Sequence, residues 1–246
     1  MKKILQFLFS IYVMITFIAV MLFIFPFVIF ASLFGRFTGG NIANKLCSVW
    51  AIVGTFLWLM PNTTYNRKYK INKTAVIYVL NHNSYMDIPL MMKIFYNINI
   101  RVLGKAELGK VPIFGFIYKR ACIMVDRSSD EARAKSIERL KEMLAKNISV
   151  AIYPEGTFNM SNAPLKEFYN GAFKIAVETQ TPIQPVLLLN ALDRLHYNSI
   201  FSFTPGRTKA VFLEEFLPGN DVSLLKEKVY NAMETGLIQN KVSWIK

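Results

Sequence analysis

Apolar positions run almost unbroken from Ile4 to Phe34, and no charged side chain interrupts them. About 20 apolar residues suffice to cross a bilayer, so this run is long enough, and overlong for one straight helix. Pro26 marks the place where such a helix would kink. A second apolar segment, Val49 to Met60, is short for a full span and suits a re-entrant or interfacial helix. Beyond it the pattern changes to short apolar runs separated by polar turns. Ala75–Leu80, Ile98–Leu103, Ala121–Val125, Val150–Tyr153, Pro182–Leu189 and Ala210–Leu213 read as strands, rich in β-branched residues and bounded by turn residues. Between them, Ile88–Phe95 and Tyr169–Glu178 read as helices. Gly and Pro break Gly104–Gly115 into turns and short helices. Ser128 with Glu131 forms a capping box before a helix whose apolar stripe is Ile137, Leu140 and Leu144. Val222, Leu225, Val229 and Met233 mark a closing amphipathic helix. Strands alternating with helices predict an α/β sheet covered on both faces, with ligands gathered where strands end and loops begin.

Composition adds a direction to this pattern. The 246 residues carry 29 Lys and Arg against 16 Asp and Glu, a formal net charge of +13, with a hydrophobic fraction of 53%. That balance calls for an anionic partner. No zinc-finger, RNA-recognition or helix-turn-helix signature points to nucleic acid, whereas an apolar amino terminus makes acidic phospholipid headgroups the simpler partner. A secretory signal would also start with charges like Lys2 and Lys3. The apolar run is longer than a signal's core, however, and no small-residue cleavage site follows, so a retained anchor is expected. Whether it spans the bilayer or lies in one leaflet stays open. Arg67, Lys68, Lys70 and Lys73, just after the second segment, favour a cytoplasmic face for the remainder. Cys47 and Cys122 lie in different segments and make neither a disulfide framework nor a metal spacing, so both are expected as buried thiols.

The chemistry starts at Asn81-His82-Asn83-Ser84-Tyr85-Met86-Asp87, between a strand and a helix. Residues five apart do not face each other on one helix, but across a turn Asp87 can reach back to the His82 imidazole. Two readings stand for that pair alone: a base oriented by an acid, or a histidine satisfied in a turn. Ser84 between them is expected to support the loop, since no Gly-x-Ser-x-Gly elbow is present.

Three further blocks follow in order: Lys105 to Arg127, Pro154-Glu155-Gly156-Thr157, and Pro182-Ile183-Gln184-Pro185-Val186. Together with the first, they resemble the glycerolipid acyltransferases, most of all the 1-acylglycerol-3-phosphate acyltransferases, from about Ala75 to Leu189. The resemblance implies a glycerol-3-phosphate acyltransferase-like α/β mixed sheet covered by helices, behind an amino-terminal two-helix membrane element. The expected division is 1–62 for the anchoring helices and 63–246 for the catalytic domain. It implies His82 as general base and Asp87 as its partner, with Lys105, Arg127, Glu155, Gly156 and Thr157 binding the acceptor. No metal and no cofactor are expected; acyl-CoA or acyl-ACP would be the co-substrate and a lysophospholipid the acceptor. Read from the residues, Lys105 also suits a solvated surface lysine, and Arg127 an ion pair with Asp126 or Asp130. Glu155 cannot attract phosphate and would accept from a glycerol hydroxyl or orient a cation.

One departure from the family pattern stands out. Phe158 and Asn159 follow Glu-Gly-Thr where Arg and then Ser are usual, so a cation near the acceptor phosphate is missing. Lys166, Lys174 and Arg120 are the candidates to replace it. Gln184 is a smaller deviation. The departure keeps other lysolipid acceptors open, beside a thioesterase and a non-catalytic lipid-binding role. His196, the other histidine, is expected to be dispensable.

Overall fold

The computed structural model describes residues 2–66, 74–125 and 129–242. Arg67, Lys68, Lys70, Lys73, Asp126, Arg127 and Ser128, on which parts of the sequence reading rest, lie outside them. Helix α1 (Lys2–Ser32) runs through Pro26. A π-helical stretch, Gly35–Gly39, leads into α2 (Gly40–Leu57). Then come β1 (Asn62–Tyr65), β2 (Ile77–Leu80), α3 (Asp87–Ile94), β3 (Ile100–Lys105), a 3-10 turn (Ala106–Lys110), α4 (Phe114–Ala121) and β4 (Cys122–Val125). The chain closes with α5 (Asp130–Ala145), β5 (Ser149–Ile152), α6 (Gly171–Thr179), β6 (Ile183–Leu189), α7 (Ala191–Arg194), β7 (Thr208–Phe212) and α8 (Val222–Gln239).

Among the described residues, seven strands form one mixed sheet in the order β1-β7-β6-β2-β5-β3-β4. Every pairing is parallel except β6 with β7. Alternation along the strands fills both faces. On β2, Ile77 and Val79 pack with Leu140 and Leu144 of α5, Phe173 of α6 and Val229 and Met233 of α8. Tyr78 and Leu80 point the other way, toward Leu90 and Met91 of α3, Ile117 of α4, and Ala43, Cys47 and Ala51 of α2. The expected cover on both faces is therefore present. Asp221 caps α8, its carboxylate accepting from the Ser223 and Leu224 N–H groups at 2.8 and 3.0 Å.

The second apolar segment differs from its expectation. It is the latter part of a helix that begins at Gly40, and one face of that helix is buried in the protein. Ala43, Cys47, Ala51 and Thr55 recur every four residues on that face, with Gly40, Asn44, Ser48 and Gly54 beside them. Such small residues let α2 lie close against α3 and α4. They also keep hydropathy low over the helix's first half, which hid its start. Val49 and Phe56 remain exposed on the other side.

Helix α1 packs partly on α2 and partly on the loop after β6. The Trp58 indole N–H donates to Thr16 Oγ1 at 2.9 Å, and Phe17 meets Trp50 edge-on at 4.8 Å. Val13, Val28 and Ala31 are fully buried, while Phe23, Phe27, Phe30 and Leu33 are exposed. Residues 3–32 are long and apolar enough to cross a membrane, and 17% of their most apolar window is buried.

Candidate active site

Strands β2 and β5 are parallel neighbours, so the loops at their carboxyl ends emerge at one rim of the sheet. After β2 the chain is first fastened sideways. Asn81 Nδ2 donates to the Leu188 carbonyl at 3.0 Å, and Asn81 Oδ1 accepts from the Leu188 N–H at 2.8 Å. The turn then folds so that Asp87, first residue of α3, reaches back across it. Asp87 Oδ2 lies 2.8 Å from His82 Nδ1 and accepts from the Asn83 and Ser84 N–H groups at 2.8 and 2.9 Å. Asp87 is fully buried, whereas the His82 side chain is 17% exposed. With the proton on Nδ1, toward Asp87, His82 Nε2 carries the free lone pair. Ser84 Oγ donates to the Leu195 carbonyl at 2.6 Å and accepts from the Met86 N–H at 3.0 Å. Its hydroxyl is spent on the loop, as the sequence suggested.

The loop after β5 grips the same histidine by its backbone. Glu155 Oε1 accepts from the His82 N–H at 2.8 Å, and the Asn159 N–H donates to the His82 carbonyl at 2.7 Å. Glu155 Oε2 accepts from the Lys166 N–H at 2.9 Å. The Glu155 residue is 1% exposed, and burial pushes its carboxyl up to about 7, against the opposing pull of the two N–H groups. Gly156 holds a φ of +71°, a left-handed conformation that needs glycine. Thr157 is exposed at the surface, and its Oγ1 accepts from Lys166 Nζ at 2.8 Å.

Aromatic rings frame the imidazole. Tyr153 stacks on it with ring centres 4.2 Å apart, and Phe158 meets it edge-on at 4.4 Å. Phe158 in turn meets Tyr85 at 4.7 Å. The Tyr153 hydroxyl donates to the Asp87 carbonyl at 3.3 Å, and burial with the nearby Asp87 charge holds that phenol well above its ordinary range. Tyr153 and the clamp on the His82 backbone were not anticipated. In the sequence, Tyr153 is simply the last residue before Pro154-Glu155, and ring stacking leaves no periodic trace.

The remaining predicted residues stand further out. Lys105 ends β3 on the same rim, with its side chain 72% exposed and 3.8 Å from Glu107 Oε1. Arg127 lies outside the described residues. Of the cations proposed to replace the missing Arg, Lys166 stands beside Thr157, and Lys174 is exposed on α6. Arg120 lies over the Phe116 ring at 4.7 Å, lining a different cavity. Gln184 is buried in β6 and donates to the Leu213 carbonyl at 3.2 Å. His196 Nδ1 accepts from the Asn198 N–H at 3.2 Å; the residue lines a cavity of about 410 Å³ with Asn159, Met160 and Tyr197. Cys47 and Cys122 are free thiols, Cys47 buried and Cys122 half-buried.

A family model described as Acyltransferase matches residues 45–189, more than half of the chain. The chain belongs to the Acyltransferase family. The matched range of this acyltransferase begins inside α2 and ends with β6, so it takes in the His82 turn and the Glu155 loop together. The chain is 31% identical over 145 residues to a 1-acyl-sn-glycerol-3-phosphate acyltransferase of Helicobacter pylori, covering 58% of this chain and 60% of the relative. It is 32% identical over 134 residues to a protein of the same name from Cocos nucifera, covering 54% and 43%. The chain thus spans less than two thirds of the length of these curated relatives. In three dimensions it superposes on the crystal structure of the 1-acyl-sn-glycerophosphate (LPA) acyltransferase, PlsC, from Thermotoga maritima with a TM-score of 0.83, over 100% of both chains at 23% identity. The mixed sheet with its helical cover is therefore this acyltransferase's fold.

Proposed function

We propose that this acyltransferase moves a fatty acyl group from acyl-CoA or acyl-ACP to the sn-2 hydroxyl of 1-acylglycerol-3-phosphate, giving phosphatidic acid. The observation that carries the reading is the His82–Asp87 contact at 2.8 Å, with Asp87 buried and the imidazole reaching solvent. His82 Nε2 takes the proton of the acceptor hydroxyl as its oxygen attacks the thioester carbonyl carbon. Asp87 holds the tautomer and stabilises the imidazolium. Collapse of the tetrahedral intermediate breaks the carbon–sulfur bond, and the departing thiolate takes the proton from the imidazolium. No covalent acyl-enzyme is needed, and Ser84, whose hydroxyl is engaged by Leu195 and Met86, stays outside the chemistry. Glu155 acts as a positioning residue through the His82 backbone. Gly156 and Thr157, with Lys105 and Lys166, would meet the acceptor's phosphate at the rim, and Arg127 is assigned to the same phosphate from the sequence alone.

The anchoring role of the amino terminus (1–62) and the catalytic role of 63–246 belong to the same proposal. A lysolipid keeps its tail in the leaflet and its head at the surface, so a site beside α1 suits it, and Met86, next to Asp87, packs in one cluster with Val13 of α1. The lysine and arginine content after α2 supports a cytoplasmic face.

Phe158 favours a second reading of the acceptor. An aromatic edge on the base replaces a guanidinium, which suits a less charged headgroup. Labelled acyl donors offered to the purified full chain with a panel of lysolipids test both readings. Product from lysophosphatidate that falls by about 10²–10⁴-fold in folded His82→Ala supports the first. Transfer to a neutral or zwitterionic lysolipid instead supports the second, and Phe158→Arg should then shift preference toward lysophosphatidate. Fatty acid release without any acceptor would overturn both.

A further inference from the structure

Along the edge strand β4 and the amino end of β3, three strands over from β2, basic side chains converge on a second cavity. Arg36, Arg101, Lys119, Arg120 and Arg139 line a space of about 430 Å³, with Ser32 at the end of α1 beside them. Strand register separates it from the candidate active site. Arg101 pairs with Val150 of β5, and Val150 with Ile77, where β2 begins. His82 lies past the other end of β2, roughly 15 Å further along the strand direction.

Arg101 carries the argument. It is 3% exposed, yet its guanidinium donates to two neutral carbonyls, Ile100 at 3.0 Å and Phe37 at 3.1 Å. Burial, helped by the Arg36 charge and opposed by Cys122, lowers its pKa to about 10. Among the described residues, the one carboxylate paired with any of the five cations is Glu142, on Arg36 at 2.7 Å. Gly40 makes the room: a β-carbon there would overlap Arg101 Nη2. Burying a guanidinium among other cations without a counter-anion is unfavourable, and an anion in the cavity reverses that.

The rim says which kind of anion. The last turn of α1 supplies Ser32 to the cavity and presents Phe30 outward, and Leu33 and Phe34, just past the helix, are exposed beside it. A free phosphate makes no use of an apolar rim, whereas a lipid engages both parts. We propose that the cavity takes the phosphate headgroup of an anionic phospholipid whose acyl chains lie along the exposed end of α1. This rests on the membrane association of α1 included in the proposed function. The bound lipid would tie the α1–α2 connection to β3, β4 and α5 through one shared counter-ion.

The test uses the full chain in neutral detergent, with wild type and Arg120→Gln/Arg139→Gln compared by native mass spectrometry and by flotation with vesicles. Neither side chain belongs to the proposed catalytic or acceptor-binding groups. Vesicles of phosphatidylcholine alone read membrane association through α1; vesicles that also contain phosphatidylglycerol read the cavity. The expected result is retention of phosphatidylglycerol over phosphatidylcholine, weakened about tenfold in the double variant, with equal binding of both proteins to pure phosphatidylcholine. Inorganic phosphate and glycerol phosphate should displace the lipid poorly. Equal phosphatidylglycerol retention by both proteins overturns the proposal while leaving membrane association intact. Phosphate binding as tight as the lipid's would assign the cavity to a free anion and overturn it too. Failure to bind either vesicle would remove the membrane reading and this one with it.

Discussion

Glu155 shows how one side chain links the two loops of the site. Its carboxylate spans the backbone N–H groups of His82 and Lys166, so the position of the His82 imidazole depends on a residue that does not touch its ring. Burial gives this link a pH signature. An ordinary glutamate titrates near 4.5, and here the folded value is about 7. Between those values the folded protein holds the proton more tightly than the unfolded chain. The contribution is therefore fully present below about 4.5 and is lost as pH rises through 7, by up to about 3 kcal/mol. Thermal unfolding of the wild type should lose stability over that window, and Glu155→Gln should lose less. An unchanged slope in the variant would remove Glu155 from the account. Gln also turns one acceptor oxygen into an NH2 facing a backbone N–H, a loss of about 1–3 kcal/mol. Acyl transfer should fall with it at every pH, through misplacement of His82 and not through loss of proton transfer.

At the level of elements, the strand–turn–helix units were legible because apolar runs and breakers coincide. β2, α3, β3, β5, β6 and α8 stand within a few residues of where Ala75–Leu80, Ile88–Phe95 and their successors placed them. The His82–Asp87 contact was legible too, since a turn between strand and helix admits few other arrangements. β1 was not: Asn62-Thr63-Thr64-Tyr65 has no apolar alternation, and it forms a strand because β7 offers a parallel edge. Nor was the buried face of α2, whose Ala, Cys, Ser and Gly residues pack by being small and carry little hydropathy. That packing predicts a sharp asymmetry between two substitutions on one helix. Ala51 is fully buried, so Ala51→Leu must push α2 off its neighbours and should cost about 1–3 kcal/mol. Phe56 is exposed, and Phe56→Leu should change stability by no more than about 0.5 kcal/mol. Thermal unfolding of the detergent-solubilised chain measures both; a tolerated Ala51→Leu would mean that α2 is only loosely seated.

Across the whole molecule, the sheet carries the candidate site and the amino-terminal helices carry an apolar surface that no described part of the chain covers. α1 turns Val13, Val28 and Ala31 inward while leaving Phe23, Phe27 and Phe30 outward, so folding and the proposed membrane contact use different faces of one helix. The two can therefore be separated by mutation. Phe23, 71% exposed, and Phe30, 62% exposed, make few contacts that folding depends on. Replacing both with Asp should leave the detergent-solubilised protein within about 0.5 kcal/mol of wild type per site. In a bilayer each Asp deep in the apolar layer costs about 2.5–3.5 kcal/mol, so partition into phosphatidylcholine vesicles should fall by two or more orders of magnitude. Turnover of a lysolipid presented in vesicles should fall in step, while turnover of a short-chain lysolipid dissolved in water should not. A double variant that keeps full vesicle binding would show that α1 is not the membrane face, since phosphatidylcholine offers the net charge of +13 no anionic surface to hold it there.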